Sequence, residues 1–222
     1  MFEIRHAACA LTGIVVCTFS TCIPTSLADE PLPDTHEGLE LVPGSSLQLS
    51  YRRRGVNFAE YTSVMIDPVQ FAFSDEWNKD FPKVIASRQQ RFGEDLAQAM
   101  RARLSEDLDA HGGYPTAEQP RPDVLRISVV IAELYVTVPD QSFSADAAMF
   151  GKVRTQGLLI VEMRDSVSGL LLVRLADRTR AEREMTGEQM RDTRMRADTE
   201  LVLERWISGI REAVTSAMVA SK

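Results

Sequence analysis

The stretch GLLIVEMRDSVSGLLLVRLA, Gly157 to Ala176, decides how this chain folds. Gly157 to Arg164 and Leu170 to Ala176 are rich in aliphatic and β-branched side chains. Between them Asp165-Ser166-Val167-Ser168-Gly169 concentrates turn-forming residues, so the stretch reads as two antiparallel strands joined by a hairpin turn. In that register Glu162 faces Arg174 across the strands, a pair worth under about 1 kcal/mol where exposed. Immediately upstream, Val124 to Val138 is a long run rich in Ile and Val. Its middle, Ser128 to Ala132, has the apolar continuity of a strand covered on both faces.

Further out, Ser63 to Phe73 has strand composition, with Pro68 removing one ladder donor, which predicts a bend, a bulge or an edge position there. Leu47, Leu49 and Tyr51 alternate with polar residues as a short strand does, and Arg52-Arg53-Arg54-Gly55 then turns the chain. Two helices complete the pattern. One begins at Ser87, where Ser87 and Gln90 form a capping-box pair. Its apolar face is Phe92, Leu96, Ala99, Met100, Leu104 and Leu108, and Gly112-Gly113 ends it. The other carries the stripe Leu203, Ile207, Ile210, Val214, Ala217 and Met218. Its start is expected near Arg196 to Thr199, with an earlier one available at the Thr186–Gln189 capping box. Consecutive strands joined by short turns favour antiparallel pairing. The class is therefore α+β: a mostly antiparallel sheet of about five strands, two long amphipathic helices on one face, in the order ββαβββα.

The N-terminal end sets the compartment. Cys9, Cys17 and Cys22 all fall in the first 22 residues, within an apolar run that Arg5 precedes and Ser26-Leu27-Ala28 follows. This is the pattern of a cleaved export signal over residues 1–28. Cleavage after Ala28 leaves a body without thiols, stabilised by packing alone, in the periplasm or outside the cell. Cys22 offers an alternative as a lipid-attachment site that would anchor the protein to the envelope membrane, although Phe19 and Thr21 depart from the usual residues before such a cysteine. Residues 29–46, acidic and proline-rich, read as a flexible leader, and residues 47–222 as one α+β domain. The net charge of −7 argues against nucleic acid as a partner.

Tyr51-Arg52-Arg53-Arg54-Gly55-Val56-Asn57-Phe58-Ala59-Glu60-Tyr61, running on to Ile66-Asp67-Pro68-Val69, resembles the opening of a bacterial envelope family, domain of unknown function 3313. Glu162-Met163-Arg164-Asp165 with Gly169-Leu170-Leu171 is similar to its hairpin, and Leu203 to Ile207 to its last helix. Arg54 stands where the family tends to have proline, and Asn57 where it tends to have aspartate. The resemblance implies an exported, envelope-associated protein and supplies no catalytic residues.

Chemistry is sparse. Asp107, Asp109, Gly112 and Glu118 follow calcium-loop spacing except at the fifth place, where His111 stands. The simpler reading is the solvent face and C-terminal end of a helix, with His111 complementing its dipole. His36 and His111 have no metal spacing, so no metal and no cofactor is expected. Motifs for a serine nucleophile, a phosphate-binding loop or a dinucleotide fold do not occur. Asp67, Glu133, Glu162, Asp165 and Asp177 could supply paired carboxylates, or act simply as turn caps and partners of Arg126, Arg164, Arg174 and Arg178. The Arg52–Arg54 cluster suits a solvated turn or an anionic partner. Trp77, Phe81, Phe143 and Phe150 are the candidate partner-contact residues. Two functions follow: an exported, non-enzymatic binding or assembly module with an envelope protein partner or a second copy, or an enzyme of unrecognised type using strand-end carboxylates.

Overall fold

The computed structural model describes residues 35–80, 86–136, 151–185 and 194–219. In chain order the strands are β1 (Thr35–His36), β2 (Leu39–Leu41), β3 (Leu49–Arg52), β4 (Ser63–Ile66), β5 (Gln70–Phe73), β6 (Val124–Val136), β7 (Gly151–Asp165) and β8 (Leu171–Met185). The helices are α1 (Asp75–Asp80), α2 (Ala86–Asp107) and α3 (Arg194–Val219). The sheet runs β1-β2-β3-β8-β7-β6-β4, and β5 also pairs with β6. The fold is α+β and its pairing mostly antiparallel, as the hairpin-forming sequence dictates.

Three differences from the sequence reading have local causes. Pro68 divides the expected Ser63–Phe73 strand into β4 and β5. Both lie along the same side of β6, and both pair with it in parallel. Parallel pairing requires a long crossover, which α2 provides. Among the described residues the sheet has eight strands rather than about five: the Pro68 division adds one, and residues 35–41 add two by forming a hairpin where a flexible leader is expected. Glu37 and Gly38 take left-handed backbone angles there, φ 52° and 76°, which suit a two-residue hairpin turn. The hairpin pairs onto β3 and buries Leu39 completely. Finally, β7 and β8 extend to Gly151 and Met185 as one long ribbon, past the limits expected at Gly157 and Ala176.

One face of the sheet carries the core. Ile127, Val129 and Ile131 of β6, Leu159, Val161 and Met163 of β7, and Val173 and Leu175 of β8 pack against both long helices. From α2 come Leu96, Ala97, Met100, Leu104 and Leu108, and from α3 Leu203, Trp206, Ile207, Ile210 and Val214. Each fully buried Leu or Ile contributes about 1.5–3 kcal/mol of transfer free energy. The expected capping box does not form. Ser87 lies inside α2, and the Gln90 amide donates forward to Glu94 at 2.8 Å. Helix α2 ends in a π turn over Leu108–Gly112, closed by Gly113 at φ 70°, whose N–H donates back to Asp109 and Leu108. The following segment then covers the outer edge of β4. The Val64 N–H donates to the Pro115 carbonyl at 3.1 Å, and the Ala117 N–H to the Val64 carbonyl at 2.7 Å.

The helix-free face carries charge. Glu162 pairs with Arg174 in register, at 2.5 Å, and with Arg164 at 2.7 Å. Arg174 continues the chain of charges to Glu37 at 3.2 Å. Burial pushes the Glu162 carboxyl up, but the bonds from Arg174 and Arg164 outweigh it and leave the group below the ordinary glutamate value. A carboxyl depressed on folding contributes stability above its unfolded-state value and loses it as pH falls through the folded-state value. Urea midpoints of the wild type are therefore expected to drop from about pH 4.3 downward. Glu162→Gln is expected to start lower at pH 7, by about 1 kcal/mol, and to fall less steeply with acid. Parallel wild-type and variant curves would remove Glu162 from the acid response.

Candidate functional site

Of the expected contact residues Trp77 is described, and it lies in a ring cluster at one corner of the molecule, where β5, α1 and α2 meet the C-terminal end of β6. Phe71 and Phe73 alternate with the exposed positions Gln70 and Ala72 on β5 and stack edge-on at 6.1 Å between ring centroids. Phe73 lies 4.7 Å from the Trp77 ring and 6.3 Å from Phe92. Helix α2 can approach this closely because position 93 is glycine; a Cβ there would stand 2.0 Å from Phe71 Cε2.

Trp77 is not a surface residue. It is 3% exposed, and its indole N–H donates to the Val136 carbonyl at 2.9 Å. A buried indole finds such a partner to offset desolvation, so Trp77 is the structural anchor of the corner. Phe92 differs in the opposite sense: read as part of the core stripe, it is 38% exposed. It sits one turn ahead of the buried run that starts at Leu96, beyond the cover of the sheet. Phe81, Phe143 and Phe150 lie outside the described residues, as does Cys22. Phe71 and Phe73, half-buried against the core, and exposed Phe92 are the members of the cluster that the sequence reading did not single out for partner contact. The available signal was Phe-Ala-Phe alternation on a strand that Pro68 had already marked as an edge.

The carboxylates considered for acid–base chemistry each have partners. Asp67 accepts from Arg126 Nε at 2.9 Å and Ser128 Oγ at 2.6 Å. Glu133, at a left-handed φ of 51° in the β6 bulge, receives both Arg178 Nη1 at 2.6 Å and Nη2 at 3.1 Å. Asp165 caps its hairpin through the Ser168 N–H at 2.6 Å, and that bond, with those from Tyr61 and Val167, holds its carboxyl below the usual range against burial. Asp177 alone is fully buried. It accepts from Trp206 Nε1 at 2.9 Å, Arg205 Nη2 at 3.0 Å and the Gln48 N–H at 3.2 Å.

The calcium-like spacing is used differently. Asp107 pairs with His111 Nδ1 at 3.0 Å and with Arg211 Nε at 3.4 Å, so its oxygens are turned toward the guanidinium of α3 and the imidazole at the helix end. Among the described residues no three His, Cys, Asp or Glu side chains converge as a metal site, and no helix is long and apolar enough to cross a membrane.

The model of the family described as "Protein of unknown function (DUF3313)" matches residues 36–206. The chain belongs to the DUF3313 family. The match spans the fold from β1 into α3. No curated protein sequence matches the chain. Among solved structures, a candidate neuraminyllactose-binding hemagglutinin homolog from Helicobacter pylori is similar at 14% identity and TM-score 0.40, covering 72% of this chain and 89% of that one. A candidate lipoprotein from Caulobacter crescentus is similar at 8% identity and TM-score 0.39, covering 73% and 93%. A PelC dodecamer from Paraburkholderia phytofirmans is similar at 13% identity and TM-score 0.36, covering 72% and 95%.

Proposed function

We propose that this DUF3313 protein is an exported, envelope-associated binding or assembly module that holds an envelope protein through its aromatic corner. The observation that carries this reading is the ring cluster of Phe71, Phe73 and Phe92. It is anchored from below by buried Trp77 and exposed at Phe92. Aromatic side chains on a rigid support are the residues that interfaces use as anchors. The export-signal pattern of residues 1–28 supports the compartment. The strand-end carboxylates favour this reading over an enzyme, because each is committed to an ion pair, a cap or a buried hub.

Substituting Phe143 and Phe150 together by Ser is expected to leave the thermal midpoint within about 2 °C of wild type. The same variant is expected to lose a partner crosslinked and recovered from the envelope fraction, and the recovered wild-type protein should show the mass of a chain shortened by its export signal. A large drop in midpoint would instead make the two rings part of the core. An unshortened chain in the cytosol would remove the envelope from the proposal.

A further inference from the structure

Toward the other end of the sheet, at β2 and β3, lies a second site, independent of the aromatic corner. A cleft of about 360 Å³ opens between the strand β2 exit and the turn after β3, lined by Glu40 to Pro43 and by Arg52 to Val56 and Phe58. Its size is at the lower end of the range for small-ligand sites. Three arginines face one acid in its lining, in a chain whose net charge is −7. The local sign is thus opposite to that of the protein as a whole.

Each arginine is held differently. Arg53 is built into the fold: its Nε donates to the Leu171 carbonyl at 2.7 Å and its Nη2 to the Glu37 carbonyl at 3.1 Å. Arg54 projects into solvent, with Glu40 as its partner. Arg52 has no carboxylate partner among the described residues; its one bond is a long contact, 3.5 Å, to the Ser216 carbonyl at the end of α3. Directly after them Gly55 takes a left-handed backbone angle, φ 73°. Turns of this kind direct successive amides into one concavity suited to anions. None of the Arg54, Gly55 and Val56 N–H groups donates to an acceptor among the described residues. Leu41, Val42, Pro43 and Phe58 supply an apolar wall beside the cationic rim.

We propose that this cleft binds the phosphate group of an anionic ligand, with Arg52 and Arg54 as its charged donors, the Gly55 turn as its amide donors, and Arg53 as the residue that holds the turn in place. Guanidinium groups present paired donors matching phosphate oxygens, and an ammonium does not. The apolar wall accommodates the organic part of a phosphomonoester or a phospholipid headgroup.

The test uses the chain without its first 28 residues and the double variant Arg52→Gln/Arg54→Gln, which spares the Arg53 latch. Its probes are glycerol phosphate, and vesicles of phosphatidylcholine with or without phosphatidylglycerol. Binding to the phosphatidylglycerol vesicles is expected to weaken about tenfold or more in the variant, at an unchanged thermal midpoint, and to weaken with added salt. That result assigns a lipid headgroup. Perturbation of the Gly55 and Val56 amide resonances by glycerol phosphate, absent in the variant and without vesicle binding, assigns a soluble phosphate ester. Neither response in the wild-type protein, or equal responses in a folded variant, overturns the proposal.

Discussion

Replacing Asp177 by Ala is expected to lower the unfolding free energy by about 3 kcal/mol, the largest effect of any single polar substitution in the described structure. Asp177 is 0% exposed and ties three elements together: the Trp206 indole and Arg205 guanidinium from α3, and the Gln48 N–H at the entry to β3. Alanine leaves the buried indole as an orphaned donor, costing about 1–3 kcal/mol; the Gln48 N–H, on an exposed residue, also loses its acceptor but is partly rehydrated. Arg205 adds less, since its side chain is 52% exposed and recovers hydration. The indole carries most of the loss and the two partly hydrated donors add the rest, which brings the sum to about 3 kcal/mol. For a domain of this size the midpoint falls by about 6–12 °C. Asp177→Asn keeps an acceptor for one of the two donors and should lose about half as much. Urea unfolding followed by circular dichroism, with an unchanged m-value, is the check. A loss below about 1 kcal/mol for Asp177→Ala would show that the three bonds are incidental to stability.

Gly93→Ala is expected to destabilise by about 2 kcal/mol, opposite in sign to the usual effect. At an ordinary helix interior this substitution gains about 0.5–1 kcal/mol by restricting the unfolded backbone. Here the new Cβ would stand 2.0 Å from Phe71 Cε2 and 2.4 Å from two further ring atoms. The ring cannot retreat without disturbing Phe73, 6.1 Å away, which is itself stacked on Trp77. Overpacking of this kind costs about 1–3 kcal/mol. A double-mutant cycle supplies the control: with Phe71→Ala in the background, Gly93→Ala should become neutral or favourable. If Gly93→Ala alone stabilises the protein, the helix–strand contact at this corner is looser than the structure places it. Because Phe71 belongs to the candidate contact surface, the same variant should also weaken partner capture.

Features governed by neighbours in sequence were legible from the residues. The Asp165–Gly169 turn, the Glu162–Arg174 pair across it, and the α3 stripe all form as expected, because period, turn chemistry and short-range register are local properties. Helix α3 is described from Arg194 onward, and the Thr186–Gln189 capping box lies outside the described residues. The carboxylates at 67, 133, 162 and 165 likewise take the ion-pair and cap roles that their flanking arginines and turn residues suggested. Asp177 fell outside that pattern. Its partners Gln48, Arg205 and Trp206 come from elements 28 to 129 residues away, and no local spacing announces such a hub. Trp77 misled for the same reason, since an indole suits an interface as well as a core, and its partner Val136 lies 59 residues downstream. The 35–41 hairpin was obscured by composition: prolines and acids dominate residues 29–46, while the deciding feature is the two-residue Glu37-Gly38 turn.

The amino-acid order by itself determined an α+β body made of antiparallel hairpins and two amphipathic helices, with an export-like segment ahead of it and a family of unknown function. Alternation, helical stripes and turn residues are written into consecutive positions and need no distant partner. Only the tertiary structure decided that β4 and β5 join β6 in parallel, that Trp77 faces inward while Phe92 faces out, and that Arg52 and Arg54 flank a cleft while Arg53 locks the turn between them. Those outcomes depend on which distant surfaces meet. Burial, ion pairing and cavity shape are properties of the meeting and not of either segment alone.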